Sequence, residues 1–257
     1  MDDNKLSVLT FLAKSGDENA MLELADYYYF IENKQNLSDE IFQLVLNYYT
    51  ILANLGNDHA MTALGSMYYE GLMISQDFKQ AKIWYEQAAE KGNSLAINYL
   101  GYCYYYGRDI PQDLETAFYF FCKAAQLGHH NGMYKLGDMY YNGQFVSKDS
   151  DTAFYWYNQA EMTVEATSPE YPNICYRIGH CHLSGDGASK NLLFALEWLH
   201  KAELGCYQFI DKGDAYAGLT LVRVKEDLEN LRLQLDTQKC YQHADLGYHN
   251  PLYMKTF

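Results

Sequence analysis

The stretch AMTALGSMYYEGLMISQDFKQAKIWYEQAAEKG, from Ala60 to Gly92, decides the fold. Small and apolar residues recur at i, i+4 and i+8 in each half (Ala60, Leu64, Tyr68; then Ala81, Tyr85, Ala89), which marks one face of an α-helix. Gly71 falls where the first helix ends, since a left-handed residue beyond the last turn is least strained as glycine. Asp77 falls where the second helix begins, its carboxylate an acceptor for the free N–H groups of the first turn. Gly92 ends that helix as Gly71 ends the first. The stretch is a helix–turn–helix hairpin.

The hairpin repeats. Leu64-Gly65 recurs as Leu100-Gly101, Leu136-Gly137 and Ile178-Gly179, the glycines 36, 36 and 42 residues apart. Tyr68-Tyr69, Tyr104-Tyr105 and Tyr140-Tyr141 follow in step, then Gly71, Gly107, Gly143 and Gly185. Asp77, Asp113, Asp149 and Asn191 stand at the expected N-caps, and Ala81, Ala117, Ala153 and Ala195 one turn into the second helix. Trp84-Tyr85, Phe120-Phe121, Trp156-Tyr157 and Trp198-Leu199 come next, and Gly92, Gly128 and Gly205 read as second-helix ends. Gly65, Gly101 and Gly137 lie inside a helix, where glycine costs about 1 kcal/mol relative to alanine. That expense predicts close approach of the partner helix, with its alanines opposite.

A fixed period of this length is the signature of a solenoid, in which each unit covers its neighbour's apolar face. The frame assigns one repeat domain over 1–257: an N-terminal cap helix over 1–19, a degenerate repeat over 20–56, clear repeats over 60–92, 96–128, 132–166 and 174–205, and a degenerate repeat or capping helices over 206–257. Residues 214–246 read as helix without a loop glycine. Thr163 to Asn173, with Pro169 and Pro172, is the insertion that lengthens one period, and reads as a hinge or surface loop. Pro251-Leu252-Tyr253 would begin a further unit, leaving an open end for a monomer or a weak dimer.

The pattern A-x-x-x-L-G-x-x-Y-x-x-G-x-x-[VI]-x-x-D-x-x-x-A-x-x-W-[YF]-x-x-A-A-x-x-G resembles the Sel1-like repeat, a relative of the tetratricopeptide repeat. The likeness covers about two-thirds of the chain. The usual second loop glycine survives only at Gly187, and the cysteine slots of the disulfide-linked branch hold Thr62, Asn98, Tyr134, Ala89 and Ala125 instead. The resemblance implies an all-α, right-handed superhelical solenoid that serves as an adaptor or scaffold for other proteins, without a catalytic site or cofactor.

By the same resemblance, the first helix of each hairpin lines a concave surface, at six and three residues before its glycine and at one, four and five after it. Those positions are His59, Thr62, Ser66, Tyr69 and Glu70; Leu95, Asn98, Tyr102, Tyr105 and Tyr106; Asn131, Tyr134, Asp138, Tyr141 and Asn142; and Asn173, Tyr176, His180, Leu183 and Ser184. Asn19, Asp26 and Tyr29 extend the series into the degenerate repeat. The set contains no lysine or arginine. Tyrosine supplies contact area and a polar tip at low rotamer cost, and an asparagine amide both donates to and accepts from a peptide backbone. The lining therefore predicts a protein or peptide partner, neutral or basic. Tyr68, Tyr104 and Tyr140 read as the core series, and Tyr69, Tyr105 and Tyr141, one residue on, as turned outward.

Composition bounds the rest. With 19 Lys+Arg against 33 Asp+Glu, the net charge of −14 gives no positive field for a phosphate backbone, so nucleic acid is excluded as a partner. No apolar run reaches the ~18 residues of a membrane span. Met1-Asp2-Asp3 opens without a cationic n-region and apolar h-region, which predicts a cytoplasmic chain, although delivery without a cleaved signal fits the same sequence. The six cysteines follow no repeat spacing and read as packed thiols. Cys175, Cys181, His180 and His182 scatter over different helix faces, Cys240 and His243 form only a pair, and His129-His130 sits in an exposed turn, so no metal site is assigned. No phosphate-binding glycine loop or nucleophile elbow occurs. The reading is a non-catalytic interaction scaffold; the alternative is an acidic bacterial immunity or inhibitor protein that plugs a basic toxin or effector enzyme.

Overall fold

The computed structural model describes residues 2–31, 38–71 and 74–248. Helix is their regular structure, joined by short turns, and no strand occurs among them. Twelve α-helices follow one another: α1 Asp3–Lys14, α2 Glu18–Asp26, α3 Asp39–Asn54, α4 Asp58–Glu70, α5 Phe78–Glu90, α6 Ser94–Tyr106, α7 Leu114–Gln126, α8 His130–Asn142, α9 Ser150–Thr163, α10 Tyr171–Ser184, α11 Leu192–Ile210 and α12 Ala215–Tyr248. A five-residue π-helix, Tyr27–Ile31, extends α2. The fold class is the expected one, an all-α solenoid of stacked helix–turn–helix repeats. The chain forms two compact units, Met1–Gly132 and Met133–Phe257.

The hairpin turns are built as the sequence dictates. Asp77, Asp113 and Asp149 accept from the backbone N–H of Gln80, Thr116 and Thr152, and Asn191 from those of Leu193 and Phe194. Gly71, Gly107, Gly143 and Gly185 are left-handed, with φ between 66° and 82°. In each turn the N-cap's own N–H donates back to a first-helix carbonyl, that of Tyr68, Tyr104, Tyr140 or His182, at 2.9–3.0 Å. Two residues beyond each turn's first glycine, Asp109 and Phe145 keep the left-handed backbone that Gly187 adopts in the fourth repeat. The lost glycines have not changed the turn.

The glycine inside each first helix has a different cause from the one expected. A ring, not an alanine, lies opposite: a Cβ on Gly65 would stand 2.4 Å from Tyr85 Cε1, on Gly101 2.5 Å from Phe121 Cε1, and on Gly137 2.4 Å from Tyr157 Cε1. In the fourth repeat Leu199 takes the ring's place, and the distance from Gly179 relaxes to 3.0 Å. Tyr85, Phe121, Tyr157 and Leu199 are fully buried. Each repeat thus packs a second-helix side chain flat on first-helix backbone.

Several sequence expectations shift. The first-helix core slot belongs to Met67, Cys103, Met139 and Cys181, one residue before the Tyr68, Tyr104, Tyr140 series, which is only half-buried. Gly205 does not end a helix: it lies inside α11, where a Cβ would meet Pro172 Cγ at 2.8 Å, and Gly213 makes the turn instead. The insertion is shorter than read, since α9 runs to Thr163 and α10 begins at Tyr171 with Pro172 in its first turn. His129 and His130 are half-buried, their rings stacked at 5.1 Å. The Cys240 and His243 side chains, and Pro251-Leu252-Tyr253, lie outside what the structure describes.

Candidate partner-binding face

Besides Leu95 and Ser184, which are exposed, and Leu183, which is buried, the other twenty positions of this lining fall into three groups. Tyr29, Thr62, Ser66, Asn98, Asn131, Asp138 and Tyr176 are buried. Asp26, His59, Tyr69, Tyr102, Tyr105, Tyr134, Tyr141, Asn173 and His180 are half-buried, and Asn19, Glu70, Tyr106 and Asn142 are exposed. Much of the buried and half-buried polar set ties one repeat to the next. Asp26 Oδ1 accepts from the Tyr49 hydroxyl at 2.7 Å and lies 2.9 Å from His59 Nε2. The Tyr102 hydroxyl donates to Asn131 Oδ1 at 2.8 Å. Thr220 on α12 donates to Asn173 Oδ1 at 2.5 Å, and His180 Nδ1 stands 2.6 Å from Asp227 Oδ2.

In the first unit the face is aromatic. The Tyr102 and Tyr106 rings are parallel within 4° with centroids 5.9 Å apart, and Tyr105 meets Tyr106 edge-on at 5.0 Å. Tyr69 meets Phe78 edge-on at 5.2 Å, and the Arg108 guanidinium lies over both Phe78 (5.2 Å) and Tyr106 (5.5 Å). Tyr106 is 49% exposed. One turn before Tyr102 on the same helix face stands Asn98. Asn98 is 0% exposed, and neither its Nδ2 nor its Oδ1 has a hydrogen-bond partner. An orphaned buried amide costs about 1–3 kcal/mol, so this one stands out in an otherwise satisfied helix.

In the second unit the same positions are charged. Asp138 accepts from the Tyr157 hydroxyl at 3.0 Å, and Arg177 Nε stands 2.8 Å from the same oxygen, off the hydrogen-bond direction but close enough for an ion pair. Lys135 Nζ lies 3.9 Å from the other oxygen. The side chains of Asp138 and Arg177 are only 10% and 18% exposed. Burial opposes charge on Arg177, but Asp138 with the Tyr134 and Tyr157 hydroxyls more than offsets it, and the guanidinium pKa rises. Burial also lowers the Lys135 ammonium pKa and raises those of both tyrosines. The lining without cations therefore needs correcting: Lys135 and Arg177 sit two residues before their glycines and turn into the face. Ala63 and Tyr99 hold that position in the first two clear repeats. A cation in a slot that is otherwise apolar was the available signal.

Two further expectations meet structure here. Tyrosines do not divide only between core and first-helix face: Tyr119 and Tyr155, on second helices, are 60% and 55% exposed. Five cysteines are described, all free; burial pushes the Cys103 and Cys206 thiols to about 11 and those of Cys175 and Cys181 to about 12, so these are inert at neutral pH. Among the described residues no three His, Cys, Asp or Glu side chains are placed to hold a metal, and no helix is long and apolar enough to cross a membrane.

Among solved structures the chain is similar to a protective antigen of uropathogenic Escherichia coli strains with an SLR fold (27% identity, TM-score 0.63, 89% of this chain and 48% of that one). It is also similar to a Sel1 repeat protein from Oxalobacter formigenes (24%, 0.63, 87% and 60%). A sel1 repeat protein from Klebsiella pneumoniae shares the fold at 18% identity and TM-score 0.54, over 86% of this chain and 99% of that one. The chain thus spans about half the length of the first of these and three-fifths of the second. No curated protein matches it. The Sel1 repeat model matches residues 58–93, 94–129, 130–162 and 174–204. Over more than half its length, and with an interior glycine under a second-helix side chain in each matched hairpin, this chain belongs to the Sel1 repeat family.

Proposed function

We propose that the protein is a non-catalytic adaptor that holds a protein or peptide partner on the first-helix face of its first unit, around Tyr69, Tyr102, Tyr105 and Tyr106. Sel1 repeat proteins are generally protein-interaction scaffolds. The observation that carries the reading is the Asn98 amide, buried and unpartnered on the helix face that also bears Tyr102 and the half-exposed Tyr106. A fold that leaves a donor and an acceptor unpaired gives up stability there, and such concessions gather where a ligand makes the missing bonds. Tyrosine-rich surfaces supply rigid, amphipathic contact area, and desolvated tyrosines recur among the residues that dominate binding energy.

The first unit carries 8 Lys+Arg and 17 Asp+Glu, a net charge of 8 − 17 = −9, which favours a neutral or basic partner by steering and by pairing at the rim. Affinity capture from lysate with the wild-type chain and with a Tyr105→Ala, Tyr106→Ala variant tests the reading. The variant keeps its helicity by circular dichroism and loses the partner at least tenfold. Undiminished capture refutes this placement of the site.

A further inference from the structure

We propose that the protein forms a symmetric dimer in which the outer side of α12 packs antiparallel on the same helix of a second copy. Helix α12 starts as the first helix of a fifth hairpin. Its N-cap Asp214 follows the left-handed Gly213 and accepts from the Ala217 N–H, as Asn57 after Gly56 does from Ala60 and Asn93 after Gly92 does from Ala96. Ala217, Leu221 and Val224 are buried, as are Ala60, Leu64 and Met67 at the same places in the first clear repeat. In that register Val222 stands where the interior glycines Gly65 and Gly101 stand, and Leu228 where Gly71 and Gly107 turn the chain. Without the turn, α12 runs on to Tyr248.

A further hairpin of the same family does not fit on this helix. In the first three clear repeats a ring lies 2.4–2.5 Å from a Cβ built on the interior glycine, so the Val222 side chain bars a ring from the same place. Leu219, Val222 and Leu233 are more than half exposed, on the side of the helix away from Ala217, Leu221 and Val224. A solenoid end that faces water alone carries a polar surface; here three large apolar side chains interrupt it. Residues 249–257 do not reach Leu219 and Val222. Val222 lies about 39 Å down the helix from Tyr248, and nine extended residues span about 30–32 Å.

Charge selects the occupant. Arg223 and Lys225 stand in the first half of the exposed side, and Glu226, Glu229 and Asp236 with Arg232 in the second. Antiparallel pairing about an axis near Glu226 sets Leu219 against the partner's Leu233 and each cationic half against an acidic one, whereas parallel pairing sets like charge on like. Lys225 also lies over the Tyr207 ring at 5.5 Å, a weak contact at an open site. Glu226 meets its own copy on the axis, an unfavourable pair.

The test is sedimentation equilibrium of the whole chain over a dilution series. The expected result is a reversible monomer–dimer equilibrium. Leu219→Glu, at an exposed position, weakens the dimer at least tenfold with helicity unchanged. Arg223→Glu with Lys225→Glu weakens it about tenfold, and adding Glu226→Lys and Glu229→Lys restores it, because the two halves have then exchanged sign. Glu226→Gln alone tightens it. A chain that stays monomeric throughout the series overturns the proposal, whether residues 249–257 or a different protein then covers the stripe. A dimer that Leu219→Glu leaves intact places the contact elsewhere and overturns it as well. Loss on the first charge reversal without rescue by the second overturns the antiparallel pairing.

Discussion

The two units solve one structural problem in opposite ways. At three residues before the repeat glycine the first unit has Asn98 and the second Tyr134; at one after, the first has Tyr102 and the second Asp138. In the second unit these positions join a closed network in which a buried carboxylate meets a guanidinium, an ammonium and a tyrosine hydroxyl. In the first, Tyr102 stacks on Tyr106 while the buried Asn98 amide has nothing to bond. The same backbone therefore carries one face whose polar groups are spent on itself and one that is left incomplete. What differs is polar satisfaction, not fold.

The sharpest way to break this contrast is at Asp138. Asp138→Leu strands Arg177 and Lys135 in a buried setting, and removing one partner of a buried pair costs about 3–5 kcal/mol. Urea unfolding should show that loss, with much of it recovered in the double variant Asp138→Leu, Arg177→Met, where no charge is left unpaired at that position. A loss below about 1 kcal/mol in the single variant would mean that water already reaches the pair.

Next in size is a test of what the units share. Gly65→Ala in the first unit and Gly137→Ala in the second each place a methyl group 2.4 Å from a tyrosine ring carbon. Overpacking of this kind costs about 1–3 kcal/mol, more than the ~1 kcal/mol that alanine returns in helix propensity. Gly179→Ala, with Leu199 at 3.0 Å, should be the mildest of the three, close to neutral in thermal melts. If all three cost alike, the ring is not the reason for the glycine.

The repeat, its turns and its caps were legible because each rests on local chemistry: a glycine where φ is positive, an acid where backbone N–H groups are free, a 36-residue period. The interior glycine was legible as a close approach but not as a ring, because the residue that fills the space lies about twenty positions away on the partner helix. The face was legible as a set of positions and misleading as a surface. Periodicity says which side chains point the same way; it does not say which are then consumed by the neighbouring repeat. Asp26, Asn131, Asn173 and His180 all went to such contacts, through Tyr49 and His59, Tyr102, Thr220 and Asp227. Lys135 and Arg177 were passed over because the lining was taken from fixed positions, and both stand one slot aside.

The most direct probe of the incomplete face is Asn98→Leu. The change keeps the branched outline and the number of heavy atoms and removes both orphaned groups, so it should stabilise the protein by about 1–2 kcal/mol, the amide's uncompensated desolvation less the cost of the bulkier methyls. The same substitution should weaken capture of the partner, which loses a donor and an acceptor. A variant that melts higher and binds less is the signature of a site held open at the expense of stability. A variant that melts higher and binds as well would make Asn98 a packing flaw and remove the observation on which the site rests.

The smallest expected effect lies where the first unit does close a polar contact. His59 is half-buried, and its hydrogen bond to Asp26 raises the imidazole pKa, with burial acting against and Asp26 and Asp58 adding their charge. A pKa raised by folding means that the protonated ring is the form the fold prefers. Its contribution is therefore complete below the ordinary imidazole value of about 6.5 and is lost as pH rises through the higher folded value. The pair is partly open to water, so the amount is that of an exposed ion pair, about 0.2–1 kcal/mol, and salt should reduce it. Stability measured from pH 5 to pH 8 should fall slightly more in the wild type than in His59→Gln, which keeps a hydrogen bond to Asp26 but cannot titrate. Equal slopes would show that Asp26 is held by the Tyr49 hydroxyl alone, and the first unit would then have no titrating link to set beside the charged network of the second.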